Sequence, residues 1–177
     1  MGYDILVDGY NVIKNSEPFR SAQKHGLAHA RALLVKQLIS KYRHTPYQVT
    51  VVFDGDGVHE QITHEQRVRV IYSQRGETAD RVIMRLAAQA CEAGRAVETI
   101  SNDLEVRHSV TESGAEVRST GQLTRQLNAP SPDVERKFRH RQKANRIYGL
   151  NPALKDWDDE AFSSAPRRGK KGPHRRK

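Results

Sequence analysis

The sequence predicts an α/β fold, a three-layer α/β/α arrangement around a mostly parallel central sheet. Three observations predict it. Short apolar runs recur at YDILVD (3–8), VTVVF (49–53), VRVIYS (68–73) and AVETIS (96–101). Helix-patterned segments stand between them, and such alternation argues for a parallel sheet with helices on both faces. VTVVF carries no charge, as a central strand covered on both faces requires.

The elements follow in chain order. YDILVD is a buried strand with β-branched members. Residues 26–43 form the first helix, with Leu27, Ala30, Leu34 and Leu38 on one apolar stripe. Pro46 marks its stop. VTVVF is the second strand, and DGDGVHEQITHEQ (54–66) reads as a polar loop. VRVIYS is the third strand. A helix over 78–93 turns Ala79, Ile83, Leu86, Ala87 and Ala90 to the core, and Gly94 ends it. AVETIS is the fourth strand, and NDLEVRHSV continues as a turn and short helix. AEVRS (115–119) is a short fifth strand, after which Thr120 caps a helix through Leu127. NAPSP (128–132) breaks the pattern. A basic helix over 133–148 follows, anchored by Val134, Phe138, Ile147 and Tyr148. The expected organisation is a domain at 1–130, a basic helix at 131–150 on or beside it, and a linker and basic tail at 151–177. Trp157, in KDWDDEAF, belongs to that linker or to a docking segment.

The 177 residues suffice for one domain with its own core. The formal net charge of +9 favours an anionic partner. Much of the excess sits on Arg167, Arg168, Lys170, Lys171, Arg175, Arg176 and Lys177, in a stretch without a single acid. Such a tail cannot pack and is expected to order only on a partner, most naturally a nucleic acid. A merely solubilising tail is the plainer alternative. Cys91 is the only cysteine, which excludes an internal disulfide and a cysteine-rich zinc knot. This suits a reducing cytoplasm. A strand begins almost at once, with no basic-then-apolar leader, so secretion is not expected. No apolar run is long enough to span a membrane.

The polar residues after each strand carry the functional signal. Asp8 ends the first strand, and Asn11 follows. Asp54 ends the second. Glu77 and Asp80 come after the third, three apart at a helix start, where they would share a face. Asp103 follows the fourth, in SND. In a parallel sheet these ends lie along one edge, where open α/β sheets bind ligands. Carboxylates packed together repel, so some hold a proton or a cation sits among them. Hard divalent ions take oxygen ligands; Mg2+ and Mn2+ both suit. Such ions activate water and stabilise a leaving oxygen in phosphodiester hydrolysis. The amide of Asn11 and the hydroxyl of Ser101 are candidates to orient a water or phosphate, Ser101 equally to cap the next turn. The bland alternative is a set of turn residues, since Asp, Asn and Gly abound in turns.

ILVDGYNVI, VTVVFDG, RVIYSQRGETADRVI and TISND together resemble the YacP-like group of NYN domains, within the PIN-like nuclease fold. The likeness covers roughly residues 3–127. It implies metal-dependent RNA hydrolysis, with Asp8, Asn11, Asp54, Asp80 and Asp103 at the catalytic positions. It also implies Asp8, Glu77, Asp80 and Asp103 as the metal set, with Asp54 and Asp103 acting through water and Glu77 a ligand or its support. Close bacterial relatives look like ribosome-associated endoribonucleases that cut messenger RNA. After TISND this chain carries LEVRHSVTESGAEVRST, where relatives tend to be aromatic and glutamine-rich.

RNA also needs positive charge beside the acids. Lys14, Arg75 and Arg81 flank the acidic motifs, and Arg118 and Arg125 would extend the track; phosphate contacts position a strand without reading it. Tyr10 would stack on a base or pack over the strand end. His59 and His64 are candidate general bases that a hard-metal site does not need. The rival readings are a non-catalytic RNA- or ribosome-binding module and a metal-dependent phosphatase. The first gains nothing from carboxylates facing phosphate, and the second has no use for the basic tail.

Overall fold

The computed structural model describes residues 3–129. Its elements are β1 (Tyr3–Asp8), α1 (Gly9–Asn15), α2 (Glu17–Gln23), α3 (Leu27–Tyr42), β2 (Gln48–Phe53), β3 (Gln61–Glu65), β4 (Val68–Tyr72), α4 (Ala79–Glu92), β5 (Ala96–Ile100), α5 (Leu104–Glu112), β6 (Glu116–Arg118) and α6 (Thr120–Asn128). The strands form one sheet in the order β3-β4-β2-β1-β5-β6. Every pair is parallel except β3 with β4.

Strand alternation divides the core in two. Ile5 and Val7 of β1, with Val51, Phe53, Val70 and Ile100, pack against residues from α1, α2, α3 and α6. Leu6, Val52, Ile71 and Val97 face the other way, onto α4 and α5. The three layers follow directly. On α4 the buried stripe is Ala79, Val82, Ile83, Ala87 and Ala90, with Leu86 at its half-buried margin. Gly94, at φ +70, takes the left-handed turn that closes the helix: its N–H reaches Cys91 O, and that of Arg95 reaches Ala90 O.

The chain builds out from β1 in two directions. From β1 it moves to β2 and β4 on one side, then crosses back to place β5 and β6 on the other. The strand order therefore reverses between β1 and β5. Val7 stands opposite both Val51 and Ile100, so β2, β1 and β5 end level.

Several elements differ from the sequence expectation. Residues 9–23 form two short helices rather than a connection, α1 capped by Asp8 and α2 carrying Pro18 in its first turn. Residues 61–65 are a strand within the expected loop; every one of them is exposed, so no burial pattern announced it. Leu27 opens α3 but stays exposed, while Ala30, Leu34 and Leu38 are buried as expected. Ser119, not Thr120, caps α6, through a reciprocal capping box with Gln122. The basic helix expected over 133–148, Trp157 and the basic tail lie outside the described residues.

Candidate active site at the topological switch

The reversal of strand order between β1 and β5 marks the position of the carboxyl-edge crevice at which open α/β sheets bind ligands. Asp8 stands there at the end of β1, on the same side as Leu6, facing α4. Its Oδ1 accepts the Asn11 N–H at 3.0 Å, capping α1. Its Oδ2 accepts the Ser101 hydroxyl at 3.2 Å, from the residue just after β5. Ser101 Oγ in turn accepts the Asp103 N–H at 3.0 Å. Asn11 Oδ1 accepts the Asn102 N–H at 3.3 Å. The ends of β1 and β5 are thus laced together by Asp8, Asn11, Ser101 and Asn102.

The other acids arrive as helix caps. Asp103 Oδ1 accepts the N–H groups of Glu105 and Val106 and caps α5. Asp54 Oδ1 accepts the Ala79 N–H at 2.7 Å, across from β2 to the start of α4. Asp80 lies in the first turn of α4. Helix-end stabilisation accounts for Asp8, Asp54 and Asp103 as well as for Asp80, because three helices begin at this edge and each takes a carboxylate at its positive end. Capping is what gathers the acids.

Gathered in this way, they perturb one another. Asp8 is only 6% exposed. Burial pushes its carboxyl up to about 6, the Asp80 and Asp54 charges add to the rise, and the Asn11 N–H and Ser101 hydroxyl oppose it. Burial also raises Asp80, reinforced by Asp103, Asp54 and Glu105, against which Lys14 is the opposing cation. Asp8, Asp54, Asp80 and Asp103 therefore share one electrostatic neighbourhood. Among the described residues, no three His, Cys, Asp or Glu side chains form a ready-made metal cage.

Glu77 is not brought to this cluster. Thr78 is the cap of α4, so Glu77 precedes the helix and the three-residue spacing to Asp80 does not put them on one face. Its carboxylate lies 3.6 Å from Arg85, which also pairs with Glu60 at 2.6 Å. Arg118 does not extend a basic track either: its guanidinium pairs with buried Glu98 and donates to Gln126 Oε1 at 2.6 Å. Tyr10 packs over the strand end, with its ring 5.1 Å from that of Phe53. Lys14, Arg75, Arg81 and Arg125 are exposed. His64 pairs across from Arg69, toward the starting end of β4 and away from the crevice. His59 lines a cavity beside the cluster.

Two residues escaped the sequence reading. Asn102 joins β5 to α6 by exchanging bonds with Thr120, its amide donating to Thr120 Oγ1 at 2.7 Å and its carbonyl accepting the Thr120 N–H at 3.1 Å. Arg31 of α3 reaches over the end of the sheet to Tyr10 and Tyr72. Its one local signal is its place beside the Ala30–Leu34 stripe, at the margin between buried and exposed faces.

A mostly parallel α/β sheet with carboxylates collected at its switch point fits a PIN-like, nuclease-type domain. The chain belongs to the YacP-like NYN domain family, whose model matches residues 5–164. It is similar to the "Uncharacterized protein YacP" of Bacillus subtilis (strain 168), 28% identical over 138 residues that cover 76% of this chain and 81% of the relative. A crystal structure of Rae1 (YacP) from Bacillus subtilis shares the fold with a TM-score of 0.59 at 26% identity, covering 90% of each chain. A tryptophan-to-leucine variant of Rae1 aligns with a TM-score of 0.63 at 24% identity, over 93% of this chain and 86% of that one. The family ties the chain to nuclease-like, RNA-related function. Among the described residues, no helix is long and apolar enough to cross a membrane.

Proposed function

We propose that the chain is a divalent-metal-dependent endoribonuclease that hydrolyses phosphodiester bonds in single-stranded RNA, working in the cytoplasm on messenger RNA at the ribosome. The observation that carries this reading is Asp8. It is a buried carboxylate, raised to about 6 and crowded by Asp80 and Asp54, at the switch point of the sheet. Helix capping accounts for where the acids stand but leaves their mutual repulsion in place, and a cation relieves it.

The residues fit a hard divalent ion. All the donors are carboxylate oxygens. Mg2+ commonly takes one or two carboxylates and keeps several waters, so a complete protein cage is not required. Asp8 and Asp80 would hold the ion directly, and Asp54 and Asp103 through water. Glu77 is left out because Arg85 engages it. When bound, Mg2+ or Mn2+ supplies an activated water and charge stabilisation at the phosphoryl group.

The chain's own groups do the positioning. Ser101 fixes the Asp8 carboxylate from β5. The carbonyl of Asn11 is taken by Asn102 and Asn15, which leaves its NH2 group to donate to a phosphate oxygen. Lys14, Arg75 and Arg81 are exposed, flank the acidic motifs in sequence and would take flanking phosphates. The basic tail adds a salt-sensitive grip on RNA or on the ribosome. The test is cleavage of labelled single-stranded RNA with Mg2+ or Mn2+, with and without EDTA, beside Asp8→Asn and Asp80→Asn. Unaltered cleavage in both variants defeats the assignment.

A further inference from the structure

A cavity of about 240 Å3 adjoins the acidic cluster, lined among others by Arg31, Asp54, Asp56, Gln61 and Tyr72. Asp54 connects the two: it caps α4 within the cluster and also forms part of the cavity wall.

Arg31 is the unusual member. It is half-buried, and its guanidinium is held from two sides. It donates to the Tyr10 hydroxyl at 3.3 Å, and its central carbon lies 5.4 Å from the centre of the Tyr72 ring. Tyr72 is stacked on Phe53, with centroids 5.6 Å apart, and Tyr10 leans on Phe53 as well. Among the described residues, no carboxylate forms an ion pair with Arg31. A guanidinium carries five N–H donors in a rigid fork. Here that fork is fixed in place with most of its donors unspent, beside a polar cavity.

The remaining walls narrow the ligand. A phosphate would suit Arg31 but would meet the carboxylates of Asp54 and Asp56. A nucleobase meets both demands. Guanine offers adjacent acceptors at O6 and N7, the usual bidentate match for arginine. Its N1–H and N2–H2 groups are donors that a carboxylate accepts. Adenine puts a donor where guanine has O6, and pyrimidines lack N7. Bases of single-stranded RNA are also commonly splayed out and stacked on aromatic rings or guanidinium planes.

We propose that this cavity takes a guanine base splayed from single-stranded RNA next to the scissile phosphate, with Arg31 reading O6 and N7 and Asp56 accepting from N1–H and N2–H2. The proposal deepens the ribonuclease reading and rests on it for the identity of the strand. It makes Arg31 a specificity residue.

The experiment is equilibrium binding of the full chain, in EDTA so that nothing is cleaved, to labelled oligouridine carrying one central guanosine, adenosine or 7-deazaguanosine. Wild type is expected to bind the guanosine oligomer about tenfold more tightly than the adenosine one. Replacing N7 should remove most of that gain. Arg31→Ala and Asp56→Ala should each erase the preference, so that the guanosine oligomer binds no more tightly than the adenosine one. Equal binding of the guanosine and adenosine oligomers by wild type overturns the proposal, whatever the variants do. So does a guanine preference that persists in Asp56→Ala, which alters an exposed loop residue and leaves the core intact. A chain that prefers guanine yet cleaves nothing defeats the nuclease reading and keeps the pocket. A chain that cleaves without any guanine preference does the reverse.

Discussion

Ser101 donates its hydroxyl proton to Asp8 Oδ2 at 3.2 Å while its oxygen accepts the Asp103 N–H at 3.0 Å. One buried side chain thereby ties the end of β1 to the end of β5 where the strand order reverses. A hydroxyl has a single proton to give. With its oxygen accepting from the backbone, that proton goes to Asp8 and favours the charged carboxylate. Burial and the neighbouring acids push harder the other way, and the result is a carboxyl at about 6. At neutral pH Asp8 is therefore charged, at a cost to the fold.

That cost is measurable. A carboxyl raised from 3.8 to about 6 binds its proton more tightly in the folded chain than in the unfolded one. The stability it contributes is complete below about pH 4 and is lost as pH rises through 6, on the order of 3 kcal/mol in all. Asp8→Asn keeps an oxygen for the Asn11 N–H and removes the charge. Without divalent ions it should melt several degrees above wild type at pH 8, with the gap closing near pH 4. Calorimetry across pH 4–8 checks this, and a variant less stable at every pH would refute it.

Ser101→Ala strands the half-buried Asp103 N–H and takes a donor from Asp8. A loss of about 1–3 kcal/mol is expected in denaturant unfolding. The pH midpoint of cleavage should move upward, because Asp8 then titrates with one less group favouring its charge. A variant that only loses stability, with an unchanged midpoint, would reduce Ser101 to scaffolding.

Gly9→Ala should be poorly tolerated. A Cβ at Gly9 would lie 2.2 Å from the ring of Phe53, which is fully buried. Overpacking of this kind typically costs about 1–3 kcal/mol. It would also displace the start of α1, and with it the Asn11 N–H that Asp8 accepts. Unfolding and cleavage should worsen together.

Deleting residues 167–177 removes seven basic side chains. RNA affinity should fall, and its dependence on salt should become shallower. Cleavage at saturating RNA should hold. Identical salt titrations before and after deletion would exclude the tail from binding.

Strands that are buried on both faces were legible, because VTVVF or VRVIYS has no other place to go. The acids at their ends were legible for the same reason, since parallel strands must finish on one edge. What was hidden depended on single residues at boundaries. QITHE is an exposed edge strand held by pairing to β4, and its sequence carries no buried alternation. Residues 9–15 make a seven-residue helix that begins at a glycine, and the signal for it was Asp8 itself, read for chemistry rather than as a cap. Glu77 was displaced by one residue of helix register, with Thr78 taking the cap. Arg118 was claimed by Glu98, a partner that only the pairing of β5 with β6 brings near.

The central claim is tested most directly by a single-turnover assay on labelled single-stranded RNA, comparing wild type with Asp8→Asn over a titration of Mn2+. Wild type should cut internally in proportion to bound ion and stop with EDTA, while Asp8→Asn should lose at least about two to three orders of magnitude in rate with RNA affinity retained, as loss of an essential catalytic group does. Cleavage that survives EDTA, or that proceeds equally in the variant, would contradict the account.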